Sequence, residues 1–230
     1  MERQILHPHE PWKHQPPILS TIPVREEALS LIHYHRQISS HETAWLFTDG
    51  SVTNKGAGAT ALLTCGPSDN YFTANCRSHG LHSSTQMELV AIDMGLRLVD
   101  IYRHHYFLSS IHVVTDSQAA VLALMGGRNA TETIVAIRSL WWRLSESIPD
   151  LRITWVPGHA NIPENEAADE AAHMTAIGQL DGALSDIPHA LASLKRILWQ
   201  HYTDEMRDMW ATLSCGQSLR NSGWHFRPDL

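Results

Sequence analysis

Residues 43–65 read TAWLFTDGSVTNKGAGATALLTC. Ala44-Trp45-Leu46-Phe47 is a short apolar run that meets Asp49-Gly50. An apolar run stopped by a turn pair predicts a buried strand, with Asp49 at its end. From Gly56 the chain turns to glycine and alanine and then to Leu62-Leu63-Thr64. This predicts a second strand, with small residues where backbones approach closely. Tyr71 to Arg77 predicts a third. The link Gly66-Pro67-Ser68-Asp69-Asn70 consists of turn formers, so the second and third strands are expected to pair antiparallel.

Downstream the period changes. Met87, Val90, Ala91, Met94, Leu98 and Ile101 recur at helical spacing, with Ser83 or Ser84 suited to the N-cap. Glu88 falls in the first two turns, one position off the apolar stripe. Ile111 to Val114 predicts a strand ending at Thr115-Asp116-Ser117, and Gln118 to Leu124 a helix stopped at Gly126-Gly127. Ile134, Ile137, Trp141 and Leu144 mark another helix, ended before Pro149. Arg152 to Val156 predicts a strand closed by Pro157-Gly158, and Pro163 to Met174 a helix with proline in its first turn. The order is β-β-β-α-β-α-α-β-α. Hairpin strands followed by alternation predict an α/β fold with a mixed five-stranded sheet and helices on its faces.

Outside this block, residues 1–23 are rich in proline and histidine and predict an extended arm. Residues 24–38 predict a short helix with Ala28, Leu31 and Ile32 as its apolar stripe. Residues 190–211 predict a helix with Leu191, Leu194, Leu198 and Tyr202 on one side, and the chain from Ser214 reads as irregular. The division is therefore 1–42, an arm and short helix; 43–177, the α/β domain; and 178–230, a helical extension.

The 43% hydrophobic content of the 230 residues supplies a core and excludes a disordered chain. No apolar run approaches the roughly 18 to 20 residues that span a bilayer. Met1 to Glu10 is polar, without a signal-peptide stretch, so the chain is expected to be intracellular, in nucleus or cytoplasm, with no membrane partner. Three cysteines, Cys65, Cys76 and Cys215, argue against a disulfide framework. Cys76, His79 and His82 have ligand-like spacing; a strand-end cysteine with two loop histidines is preferred to a metal clip. The pairs His33/His35 and His104/His105 are expected on the solvated surface. The net charge of −7 is awkward for a nucleic-acid protein, because phosphate contacts come from lysine and arginine. Part of that acidity is explained if carboxylates await cations, and sixteen histidines add positive charge below about pH 6.5.

Asp49, Glu88, Asp116 and Asp169 stand at strand ends or on the helices beside them, where α/β sheets place ligand sites. Taken singly each has an ordinary reading: a turn pair, first-turn helix charge, a helix cap, and one acid among Glu164, Glu166 and Glu170. Acids gathered together repel unless cations lie between them, and all-oxygen ligands suit Mg²⁺ or Mn²⁺. Paired ions of this kind promote phosphodiester hydrolysis.

Thr48-Asp49-Gly50-Ser51, Met87-Glu88-Leu89, Thr115-Asp116-Ser117-Gln118, and Gly158-His159-Ala160 followed by Glu164-Asn165-Glu166-Ala167-Ala168-Asp169 resemble the ordered motifs of type I ribonuclease H. The resemblance runs from about Thr43 to Ile177. It implies an RNase H-like fold and hydrolysis of the RNA strand of RNA/DNA hybrids with two Mg²⁺ ions, Mn²⁺ being an alternative. It implies that Asp49, Glu88, Asp116 and Asp169 are the catalytic, metal-binding acids. His159 would assist proton movement or product release. It also implies reading of hybrid shape and RNA 2′-hydroxyls, for which Ser51 and Gln118 are candidate substrate contacts; either also suits a loop or cap.

There are departures. Ser83-Ser84-Thr85-Gln86 stands where many family members carry asparagines, and the short Gly126-Gly127-Arg128-Asn129 leaves no room for a basic, Trp-bearing protrusion. Trp141 lies on the apolar stripe and is expected in the core. Weak intrinsic hybrid binding follows. The pattern resembles the ribonuclease H domains of non-LTR retrotransposons, where a reverse transcriptase on the same polypeptide supplies binding. The arm and helix before the first strand, and the later Trp199 and Trp210, add to that likeness. A chain this short has no space for a polymerase, so it is expected to be a fragment or a stand-alone copy. Two other readings stay open: a non-catalytic hybrid-binding remnant, and another RNase H-like nuclease such as an integrase or exonuclease, which Gly158-His159 disfavours.

Overall fold

The computed structural model describes residues 18–65, 71–80, 82–126, 130–184, 187, 191–212 and 221. In chain order the elements are β1 (Leu19–Thr21), α1 (Arg25–Ile38), β2 (Thr43–Thr53), β3 (Gly56–Cys65), β4 (Tyr71–Ser78), α2 (Ser84–Tyr102), β5 (Ser110–Thr115), α3 (Gln118–Met125), α4 (Glu132–Ser145), β6 (Asp150–Trp155), α5 (Pro163–Ile177), β7 (Ala183–Leu184) and α6 (Leu191–Thr212). They form one seven-stranded sheet in the order β1-β6-β5-β2-β3-β4-β7. The β2–β3 and β3–β4 pairs are antiparallel, while β5 pairs parallel with both β2 and β6. The five expected strands are the central five. The added edge strands pair parallel with β6 and β4 and cover part of those edges. At three and two residues they are too short to carry a readable alternation.

One strand end differs from expectation. β2 does not stop at Asp49-Gly50 but pairs with β3 as far as Thr53 opposite Gly56, and the turn falls at Asn54-Lys55. Gly50 is there for space: a Cβ on it would lie 2.3 Å from the Glu88 backbone nitrogen and 2.4 Å from the Met87 carbonyl carbon. The glycine lets the first turns of α2 sit directly on β2.

Alternation along β2 sorts the two faces. Ala44 and Leu46 point into the larger core, with Ile92 and Leu96 of α2, Leu124 of α3 and Ile137 and Trp141 of α4. Trp45 and Phe47 point the other way, with Ile32 of α1 and Ile162 and Ala168 at the start of α5. α1 therefore packs on the sheet. His35, expected at the surface, lies 5.0 Å from the ring of His112, which stacks on Trp45 at 4.5 Å. His33, His104 and His105 are exposed. His82 is buried, hydrogen-bonded to Ser78 Oγ at 2.8 Å and Gln86 Oε1 at 3.3 Å, while His79 is exposed. His82 thus ties the end of β4 to the start of α2.

α6 lies where a helix was expected, with Trp199 and Tyr202 each 50% exposed. The side chains of Leu191, Leu194 and Leu198, most of the arm, the 66–70 link, the 127–129 link and most of the chain after 212 lie outside the described residues. No helix among the described residues is long and apolar enough to cross a membrane.

Candidate active site

Parallel pairing of β2 with β5 sets Thr48 opposite Thr115, so the next residues, Asp49 and Asp116, emerge side by side. Ser83 caps α2 by accepting a hydrogen bond from the Gln86 N–H at 3.1 Å, which starts the helix so that Glu88 faces β2. Pro163 opens α5, and Asp169 lies within it. One carboxylate oxygen from each of Asp49, Glu88 and Asp116 lies within 4.8 Å of the others. All four acids line one open cleft of about 540 Å³, together with Ser51, Gln118, Ser84, Thr85 and Gly158. Ser51 and Gln118, the expected substrate contacts, are thus on the wall of the same cleft.

His159 stands at the rim, 81% exposed, with Nδ1 3.4 Å from Glu166 Oε2 and 3.9 Å from Asp169 Oδ2. It adopts φ 53° and Asn161 φ 58°, left-handed conformations uncommon for residues other than glycine. Beside it Gly158 packs so tightly that a Cβ would meet Asp116 Oδ2 at 2.9 Å. The Trp155 indole donates to the Asp116 backbone carbonyl at 2.9 Å, which holds the end of β5.

Electrostatics in the cleft is set by burial and by like charges. Burial, reinforced by Asp116 and Asp169, raises the Asp49 pKa to about 7. Burial, with Asp49 and Asp116 adding to it, raises Glu88 to about 10. A hydrogen bond from the Gly50 backbone opposes both shifts. Asp116 is raised by burial and then by Asp169. His159 is raised by its hydrogen bond to Glu166, then by the charges of Glu166 and Asp169, which favours the imidazolium.

The donor set suits a hard cation. Glu88 Oε2 is buried with no hydrogen-bond partner, and the neighbouring acids repel its ionised form. A divalent ion held by these carboxylates would satisfy that oxygen and offset the repulsion. Sequence reading gives Glu166 no role beyond a solvated face; Ser84 and Thr85, which it sets where many family members carry asparagines that touch nucleic acid, line the cleft. Glu166 and Asp169 stand three residues apart on α5 and so share a face, which was the available signal.

A mixed sheet with helices on both faces and four acids converging beside its central strands defines an α/β protein with a cation-seeking cleft. The chain belongs to the RNase H family: the family model described as RNase H matches residues 41–177. It is 30% identical to the ribonuclease H of Cronobacter sakazakii over 161 residues, covering 64% of this chain and 96% of that protein. It is 33% identical to the ribonuclease H of Roseobacter denitrificans over 141 residues, covering 55% and 90%. Among solved structures it is similar to RNase H1 from Halobacterium salinarum NRC-1, at TM-score 0.44 and 20% identity over 60% of this chain and 98% of that one. It is also similar to LC11-RNase H1 in complex with RNA/DNA hybrid, at TM-score 0.47 and 17% identity over 60% and 99%.

Proposed function

We propose that this chain cleaves the RNA strand of RNA/DNA hybrids endonucleolytically. One observation carries the reading: within the segment matched by the family model, Asp49, Glu88, Asp116 and Asp169 line one cleft. The relatives matched over nearly their whole length are ribonucleases H.

In this reading Asp49, Glu88, Asp116 and Asp169 hold the metal. Bound there, Mg²⁺ or Mn²⁺, two ions on the family's pattern, would supply activation of the attacking water and stabilisation of the departing 3′ oxygen. The four carboxylates would fix where those cations sit, and so where the scissile phosphate can bind, since as anions they repel it unaided. His159, exposed and backed by Glu166, carries a proton at the rim, where product leaves. Ser51 and Gln118 offer a hydroxyl and an amide to the RNA strand, whose 2′-hydroxyl both donates and accepts.

The working unit is residues 43–177, with extensions 1–42 and 178–230 on either side. The short span from Met125 at the end of α3 to Glu132 at the start of α4 supports a retroelement origin of the non-LTR type. A reverse transcriptase module then supplies binding strength, and the site of action is intracellular, in nucleus or cytoplasm.

The test is cleavage of a labelled hybrid with Mg²⁺ beside an Asp116→Asn control. RNA-strand cutting that vanishes in the variant is expected. No cutting by folded protein with Mg²⁺ or Mn²⁺ would favour a hybrid-binding remnant, and cutting of duplex DNA would favour a different nuclease activity.

A further inference from the structure

The ends of the histidine loop share an apolar cluster, built mainly on β2, β3 and β5, with one residue of an element that lies outside the family match. Val156 and Ile162, the two ends of the loop that carries His159, are both buried, and both belong to the apolar cluster that contains Ile32 of α1. The matched segment begins at residue 41, whereas α1 ends at Ile38. A second contact reinforces the first. Arg36 Nη2 of α1 lies 2.7 Å from Glu164 Oε2, in the first turn of α5, a close ion pair without hydrogen-bond alignment. Its guanidinium is itself held over aromatic faces of β2, 5.5 Å from the Trp45 ring centroid and 5.4 Å from that of Phe47. Two residues after Glu164 comes Glu166, the hydrogen-bond partner of His159.

The first half of the loop is held by the sheet end, with Pro157 buried and Gly158 packed on Asp116, while His159 and Asn161 are exposed. His159 and Asn161 are in left-handed conformations, which persist only where the surroundings impose them. The N-cap of α5 is Ile162, which offers no side-chain cap, so the first turn of the helix rests on backbone bonds and on what packs against it.

We infer that α1 is a brace for the histidine loop, and that Arg36 is a positioning residue that sets His159 against the cleft through Glu164. The inference rests on the proposed hybrid cleavage for its kinetic consequence, but not for its structural one. Truncating the guanidinium frees the first turn of α5, and with it Glu166 and His159, while Asp49, Glu88 and Asp116 stay where β2, α2 and β5 hold them.

The experiment pairs two readouts on the whole chain. The first follows backbone amide exchange and ¹⁵N signals of residues 157–164 in Arg36→Met, which keeps the apolar stem and removes the charge. Faster exchange confined to that segment is expected, with the β2 and β5 amides unmoved. The second measures hybrid cleavage by Arg36→Met, with and without His159→Ala. A kcat about tenfold lower at unchanged KM is expected with His159 present, as for a small misplacement of a reacting group, and almost no further loss without it. Arg36→Lys, which keeps the charge over the aromatic faces, is expected to recover most of the loss. Unchanged loop amides in folded Arg36→Met overturn the brace, and so does an equal fold-loss in both His159 backgrounds. If Arg36→Met does not fold, Glu164→Gln decides, since it removes the ion pair and leaves Arg36 over its aromatic faces: unchanged loop amides overturn the proposal. If the unsubstituted chain cuts no hybrid, the proposed activity fails and the amide readout still decides the brace.

Discussion

Burial keeps Asp49 and Glu88 protonated well above the pH at which the same groups ionise in water, with folded pKa values raised to about 7 and about 10 from 3.8 and 4.5. Each therefore binds its proton more tightly folded than unfolded. The stability this confers is full below the unfolded pKa and is lost as pH rises through the folded one. Metal-free protein is expected to melt at a lower temperature at about pH 8 than at about pH 5. If the proposed reading holds, Mg²⁺ binds the ionised acids and is expected to raise Tm more at the higher pH. Glu88→Gln keeps the shape and removes the charge, so it is expected to flatten the pH dependence and blunt the Mg²⁺ effect. Thermal melts with and without Mg²⁺ check this; a Tm that ignores both pH and metal would remove the physical basis of the site. The four acids were legible in the sequence because their short motifs resemble, in order, those of type I ribonuclease H, although Asp49 lies within β2 and not at its end. The pairing of Glu166 with His159 was not, because it depends on two left-handed residues in the loop between them.

At the scale of elements, the joint between β2 and α2 is made by one glycine. Gly50→Ala places a Cβ 2.3 Å from backbone that cannot swing aside. The substitution is expected to cost about 3 kcal/mol, the upper range for overpacking, and to impair cleavage by displacing Glu88 from Asp49. Urea unfolding of Gly50→Ala beside the unsubstituted chain measures it; a cost well under 1 kcal/mol would mean that the joint yields. Sequence reading took Asp49-Gly50 for the end of the strand. A turn glycine and a close-approach glycine are the same letter, and what separates them is a helix that arrives later in the chain. Most other boundaries were close, since Ser83, Pro163 and the alternating runs are local signals that act within a few residues.

For the whole molecule, a net charge of −7 and an acidic cleft leave hybrid binding to the metal and to a few polar contacts. Binding by Asp116→Asn in Mg²⁺, followed by fluorescence anisotropy across salt concentrations, is expected to be weak. Its salt dependence is expected to correspond to about three or fewer phosphate contacts. A steep slope would reveal a basic surface supplied elsewhere in the chain. The mixed sheet with helices on its faces, the hairpin of the second and third strands and the four candidate acids followed from the sequence alone, because periodicity and turn chemistry are local and the motifs are ordered along the chain. The tertiary structure alone decided that α1 packs over Trp45 and Phe47 and reaches Glu164. It alone decided that short edge strands extend the sheet to seven and that His35 meets His112. These contacts join residues far apart in the chain through surfaces that exist only once the sheet has formed, and no local pattern encodes which of several apolar stripes will cover which face.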